Sequence, residues 1–175
     1  MTGENAKDLT ARLTVVLEST AEELESAGAR REALAEFVPA RRAFLIRRQP
    51  VMRPLGHVWP LGVFLLSTDR AFYATGTTTR AVPPGHPQHV AVSAEVRREY
   101  RAAAFRGPFE AGETVNFDAA RIDIMDAASL VSSSGPLFVD AAGRLRVRWA
   151  RDVVDADARD FDGYLAERVD LLLGR

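Results

Sequence analysis

The chain has 175 residues, of which 47% are hydrophobic, and its formal net charge at pH 7 is −1. A chain of this length typically forms one domain with its own core, and a net charge near zero excludes a global electrostatic attraction to nucleic acid or membrane surfaces. It contains no cysteine, which excludes disulfides and thiolate chemistry, and its polar N-terminus and short apolar runs predict a cytoplasmic protein with no membrane insertion.

The first 37 residues show helical periodicity. The apolar stripe that defines it consists of Leu9, Leu13, Val16, Leu17 and Leu24. A capping box from Thr20 to Glu23 and the glycine at Gly28 interrupt the pattern, so residues 5–37 form either one long helix or a helical pair. We expect the rest of the chain to cover the stripe, with a homodimer through the N-terminal helix as the alternative. The sequence thus predicts a helical segment, 1–37, and an α+β domain, 38–175, that form one structural unit.

From residue 40 onwards the sequence takes on β-type patterns. The first is the short apolar run from Ala43 to Ile46. Longer runs from Leu61 to Leu66 and from Ala71 to Ala74 flank the polar residues Ser67 to Arg70, which predicts a hairpin with a short loop. The segment from Gly56 to Gly62 predicts a bend or bulge at the entry to the first of these strands.

The second half of the chain alternates between helical and β patterns. The predicted elements are a helix from Ala94 to about Phe105 capped by Ser93, strands at 114–117 and 121–124, a hairpin with strands at 136–139 and 145–149, and a closing helix from about Asp157 to Leu173. In the last strand we expect Leu145, Val147 and Trp149 to point into the core, under the closing helix. This order predicts an α+β fold: a curved antiparallel sheet or partly open barrel with N-terminal helices, one inserted helix and a C-terminal helix.

The hairpin segment LGVFLLSTDRAFYATG, Leu61 to Gly76, places two leucines, a serine or threonine, an aspartate and an arginine at a strand–turn–strand. Together with a closing helix after a final hairpin, it resembles pleckstrin-homology-like and GRAM-like domains. The resemblance implies a binding module, and it leaves the ligand open because this fold hosts many different ligands.

The basic residues are almost all arginine. Lys7 is the one lysine among 23 basic side chains, a composition that a GC-rich bacterial genome explains without any role in recognition. Because Lys7 lies in a polar leader, we expect neither a Schiff-base lysine nor a phosphate-loop lysine. No glycine-rich nucleotide fingerprint follows a predicted strand, and we expect no cofactor.

Arg144, Arg146 and Arg148 alternate with the apolar residues of the last predicted strand, so they share its opposite face. One interpretation is a solvated outer surface. The other is a binding face for an anionic ligand, joined by Arg47 and Arg48, because the guanidinium fork makes bidentate contacts with phosphate and carboxylate. No aromatic residues lie between these arginines on that face, which argues against nucleic acid as the partner.

The alternative to a binding module is an enzyme. His57, His86 and His89, with a carboxylate, could hold a divalent metal, but the two loop histidines lack a regular element that would fix their geometry. We therefore expect no metal, with this histidine site as the alternative. Paired carboxylates can divide acid and base roles where their environments separate the two pKa values. The candidates lie in one segment, and turn and strand-edge positions explain most of them: Glu110, Glu113, Asp118, Asp123 and Asp126.

These patterns favour a small binding or protein-interaction domain that is not an enzyme. Its partner would be a protein or a small anionic ligand held by the arginine face. The alternative function is a small hydrolase-like enzyme that uses histidine and Asp or Glu, with or without a metal.

Overall fold

The structure is a computed structural model that describes residues 3–43, 46–84, 92–131 and 133–175. Its helices are α1 Gly3–Ser26, α2 Val92–Arg106, α3 Ala127–Val131 and α4 Phe161–Leu173, with a short 3₁₀ turn at Asp155–Asp157. Its strands are β1 Glu32–Val38, β2 Arg41–Ala43, β3 Ile46–Arg48, β4 Val51–Leu61, β5 Phe64–Ser67, β6 Phe72–Ala74, β7 Thr77–Arg80, β8 Thr114–Phe117, β9 Ala120–Arg121, β10 Leu137–Val139, β11 Leu145–Val147 and β12 Arg159–Asp160. The predicted α+β class is confirmed. Within the described ranges, no helix combines the length and hydrophobicity needed to span a bilayer.

The chain divides into two compact units, each built from separate stretches of sequence. Unit 1 comprises Met1–Arg31, Trp59–Thr75 and Ala120–Arg175, and unit 2 comprises Glu32–Val58 and Gly76–Ala119. The main sheet has seven strands in the order β7-β8-β1-β4-β5-β6-β9. It is mixed, because β1 runs antiparallel to β4 and parallel to β8. The sheet is not closed into a barrel: its order ends at β7 and β9.

The predicted apolar stripe lies on helix α1, which ends at Ser26, two residues before Gly28. Leu13, Leu17 and Leu24 are fully buried in the core of unit 1, so this unit covers the stripe as expected. The helix passes through Thr20 without a break, and the predicted capping box there is wrong. Gly28 has a φ of 63°, and the amides around it bond back to the last turn of the helix. A left-handed residue in this position is a common helix terminator that favours glycine.

The helical prediction for residues 32–37 is wrong. This stretch forms β1, which lies between β4 and β8 in the sheet of unit 2. Ala33, Leu34 and Ala35 are all buried. In a central strand both faces are covered, so apolar residues can follow one another directly. The alternation of apolar and polar residues by which a strand is recognised in a sequence is then absent.

The predicted hairpin is confirmed, and a bulge lies within β4, one residue before the segment for which a bend or bulge was predicted. Strand β5 pairs with β6 in antiparallel register, and the backbone of Ser67 and Ala71 closes the polar turn between them. In unit 2 the register between β1 and β4 shifts, so that Leu55 is an extra residue beside Gly56. Gly56 has a φ of 136°, a backbone conformation that glycine adopts readily.

The last β unit and the closing helix form the other side of the unit 1 core. Leu145 and Val147 are buried in the same cluster as Phe161 and Leu165 of α4, which confirms that this helix covers the strand. Asp160 caps the helix through a hydrogen bond from the Gly163 amide.

The predicted burial of Trp149 is wrong, since this residue is 48% exposed. The amide of Arg148 makes the last bond of the hairpin, to the carbonyl of Pro136, and β11 itself ends at Val147. Side chains alternate between faces only while the backbone stays extended. The alternation therefore stops before it reaches Trp149.

Candidate functional site

The three arginines of the last predicted strand lie in unit 1, each with partners inside the protein. The Arg144 guanidinium bonds the Asp140 carboxylate at 2.9 Å. The backbone amide of Arg144, together with its side chain, lowers the pKa of Asp140. Arg146 donates to the carbonyl of Ala158. These contacts are intramolecular, and they account for both side chains without a ligand.

Arg148 has the most extensive contacts of the three. Its guanidinium donates to the Asp155 carboxylate at 2.6 Å and to the carbonyls of Ser133 and Gly135 at 3.0 and 2.6 Å. It also lies 3.9 Å from the centre of the Phe138 ring, and only 20% of the side chain is exposed. Arg148 therefore covers the outer face of the small sheet and joins two loops, the one between α3 and β10 and the one between β11 and β12.

The two other predicted arginines belong to unit 2, where β2 and β3 form a two-stranded hairpin. Arg48 lies opposite Arg41, and Arg47 lies opposite Arg42. Arg48 is exposed. Arg47 and Arg48 thus come from a different unit than Arg144, Arg146 and Arg148.

Of the three histidines, His86 and His89 lie outside the described residues. The His57 side chain is 60% exposed, with its Nε2 at 3.8 Å from Glu113 Oε1. In the ranges that the structure describes, no three His, Cys, Asp or Glu side chains converge as a metal site would require.

Three of the five candidate acid–base carboxylates bond the backbone of local turns. Glu113 accepts the amide of Glu110, Asp123 accepts the amide of Met125, and Asp126 accepts two amides at the start of α3. Such bonds between a side chain and nearby backbone are typical of turns and helix caps.

A groove in unit 2 presents a different set of arginines. Its cavity has a volume of about 640 Å³. The residues that line it are Glu32, Thr77, Thr78, Thr79, Arg80, Val82, Arg97, Tyr100, Arg101 and Thr114. One wall is β7, the last strand of the sheet, and the other is α2. We call this cavity the arginine groove.

Charge in the arginine groove is positive. Arg80 comes from β7, whereas Arg97 and Arg101 lie one turn apart on α2, where residues at a spacing of four share a face. All three are exposed, and none forms an ion pair with any residue that the structure describes. Among the described residues of the lining, Glu32 is the one carboxylate. Three guanidinium groups and one carboxylate give these described residues a net charge of +2.

A short hydrogen-bond chain holds the carboxylate in place. The amide nitrogen of Asn116 donates to Glu32 at 2.8 Å, and the hydroxyl of Thr78 donates to the amide oxygen of Asn116 at 3.2 Å. Asn116 is buried, with 5% of its surface exposed. A buried amide with both ends bonded is rigid, so Glu32 is oriented by the sheet.

Tyr100 is the one aromatic residue among the described lining residues, and its ring is held by two aromatic neighbours. It packs edge-on against Phe37, with ring centres 5.1 Å apart, and against Phe117 at 4.7 Å. Aromatic pairs in these geometries are favourable. The packing anchors the middle of α2 against the core of unit 2 and sets the position of Arg97 and Arg101.

Unit 1 has a cavity of about 500 Å³ beside the turn between β5 and β6. The charged residues that line it are two arginines and two aspartates, so their net charge is zero: Arg70, Arg121, Asp69 and Asp123. The hydroxyl of Ser67 donates to Asp69 and lowers its pKa. A balanced lining attracts anions less than the arginine groove does.

Comparisons with family models, with curated proteins and with solved structures find no match to this chain. The arginine groove is therefore described by its own chemistry alone. The sequence carried two signals for it: the pair Arg97 and Arg101 beside Tyr100, and the β-branched run Thr77 to Thr79 after Gly76. Neither signal showed that the two segments lie side by side.

Proposed function

We propose that this protein is a binding module that holds an anionic ligand in the arginine groove. The observation that carries the proposal is the convergence of Arg80, Arg97 and Arg101 on one cavity while none of them forms an ion pair in the described ranges. Like charges placed together repel one another, so an anion that enters the groove relieves this repulsion as well as making new bonds.

The other lining groups suit a ligand that carries carboxylate or phosphate oxygens. Guanidinium groups bind both anions in a bidentate manner. Thr77, Thr79 and Thr114 also line the groove, and threonine hydroxyls are neutral hydrogen-bond donors. A cleft lined by several polar groups of this kind is typical of recognition sites.

The lining also supports binding over catalysis. It contains no histidine and no serine among its described members, and its one carboxylate, Glu32, is bonded to Asn116. General acid–base catalysis needs a group poised to exchange protons with the substrate. The proposed role is therefore capture of the anion without a chemical step.

The test is calorimetric titration of the full chain with citrate and with inorganic phosphate. Wild-type protein should bind at least one of the two anions, and the double variant Arg97→Gln, Arg101→Gln should weaken this binding about tenfold or more, as expected when charge-assisted bonds are lost. The affinity should also fall as salt is raised.

The matched control is Arg98→Gln. Arg98 lies on the same helix but bonds Glu95 and is absent from the groove lining. This variant should bind like the wild type. If wild-type protein binds neither of these anions nor a short acidic peptide, or if the double variant binds as well as the control, the proposal is wrong.

A further inference from the structure

We propose that the ligand of the arginine groove is an extended acidic peptide segment, which adds to the sheet of unit 2 as a strand beside β7. This inference rests on the proposed function and specifies its ligand. It is carried by the backbone of β7, which provides a second kind of binding group beside the arginines.

The backbone of β7 has polar groups that point away from its neighbour. The amide of Ala81 bonds the carbonyl of Glu113, just beyond the paired ends of β7 and β8. Bonded positions alternate along an antiparallel pair, so Thr77 and Thr79 direct their backbone towards β8. The intervening residues Thr78 and Arg80 direct theirs outward, into the groove.

Most of these outward groups have no partner in the described residues. The carbonyl of Arg80 accepts the amide of Val82, which leaves the amide of Arg80 and both backbone groups of Thr78. Proteins commonly protect such an edge with proline, lysine or a bulge. Strand β7 has none of these within Thr77–Arg80.

The groove has the dimensions and charge of a peptide site. It follows all four residues of β7, about 13 Å at roughly 3.3 Å per residue, with α2 as the opposite wall. A cleft between an edge strand and a helix is one geometry in which proteins bind extended peptides. Side chains of a bound strand alternate between faces, so acidic residues at every second position would face Arg97 and Arg101 of α2 together.

An apolar strip on α2 lies beside the arginines, on the helix face of Tyr100. Val92 and Val96 are 82% and 38% exposed, and they lie two turns and one turn before Tyr100. Apolar residues of a peptide would find contacts here that a small anion would not use. Single-stranded nucleic acid fits less well, because base stacking needs exposed aromatic faces and Tyr100 is packed between Phe37 and Phe117.

The test uses a synthetic peptide of about eight residues, long enough to span the groove at roughly 3.3 Å per residue, with glutamate at every second position and valine or threonine between. Two further peptides carry backbone N-methyl groups. In the first peptide the methyl groups are on every glutamate, and in the second they are on every intervening residue. The protein itself stays unaltered, so its fold is not at risk. Affinities come from fluorescence anisotropy with the full chain.

Exactly one of the two methylated peptides should bind about tenfold or more weakly than the parent, because only alternate amides of an added strand face β7. A one-residue shift in register would not restore the binding of the weakened peptide, because the shift would turn every glutamate away from the arginines. The double variant Arg97→Gln, Arg101→Gln should weaken the parent peptide to a similar extent, and Arg98→Gln should not.

The remaining outcomes separate this inference from the proposed function. If both methylated peptides bind like the parent, or both are weakened equally, strand addition is wrong. If citrate binds but the peptide does not, or an oligothymidylate of equal charge binds more tightly than the peptide, the inference fails and anion binding stands. If neither citrate, phosphate nor the peptide binds, both fail.

Discussion

At the scale of single residues, three arginines of identical spacing have three different environments. Arg144 is 66% exposed beside one carboxylate, whereas Arg148 is 20% exposed and bonded to two carbonyls and a carboxylate. Alternation along a strand predicts the face of a side chain but not what covers that face. The carbonyls that Arg148 contacts belong to Ser133 and Gly135. Every residue has a backbone carbonyl, so the sequence does not indicate which of them accepts a bond.

This difference gives a prediction for the stability of two matched variants. Arg148→Met keeps the length of the side chain but removes its donors, leaving the carbonyls of Ser133 and Gly135 without their partner. We expect it to lower the free energy of unfolding by about 1–2 kcal/mol, the range for lost hydrogen bonds at a partly buried site. Arg144→Met should leave the unfolding midpoint nearly unchanged. Urea unfolding followed by tryptophan fluorescence measures both, and equal midpoints for the two variants would contradict the structure.

At the scale of elements, local patterns identified the hairpin of β5 and β6 and the closing helix, because each carries its own periodicity and turn residues. They failed for β1. Its residues Ala33, Leu34 and Ala35 favour helices intrinsically, but burial between β4 and β8 outweighs that preference. The arginine groove was missed for a related reason: β7 and α2 meet only through tertiary packing.

The joint between α4 and the turn from β4 to β5 gives a second prediction. The phenol of Tyr164 accepts the amide of Val63 at 3.0 Å, and a Cβ at Gly62 would overlap that phenol oxygen. Gly62 has a φ of 71°. Gly62→Ala should therefore lower the free energy of unfolding by more than about 2 kcal/mol, through backbone strain and overlap together.

A double-mutant cycle separates the two causes. Tyr164→Phe alone should cost about 1–3 kcal/mol, because the Val63 amide loses its acceptor. In the Tyr164→Phe background, Gly62→Ala should cost the backbone strain, about 1–2 kcal/mol, and a smaller overlap with Arg168 Cδ and with Cζ of the ring. The two losses should add to more than the loss of the double variant. Strict additivity would show that the oxygen does not contact this turn.

At the scale of the whole molecule, the two units differ in what fills their cores. Unit 1 buries large side chains, among them Trp59, Phe64 and Phe161. The core of unit 2 is rich in alanine, and its larger buried residues are Leu34, Met52, Val58, Val115 and Phe117. Buried apolar area sets most of the stability that packing provides. Unit 2 should therefore open at a lower free energy than unit 1, since local opening follows the density of buried contacts.

This asymmetry and the arginine groove lead to one prediction for hydrogen exchange. In free protein, amides of β8 and α2 should lose protection at lower denaturant than amides of β5 and α4. A ligand that binds only folded unit 2 stabilises it by mass action, about 2.7 kcal/mol at a hundredfold excess over its Kd. Citrate or the acidic peptide should thus slow exchange in β8 and α2 while β5 and α4 change little. Exchange measured by mass spectrometry tests this directly. Equal slowing in both units would show that they open together, and no slowing in the presence of bound ligand would place its site outside unit 2.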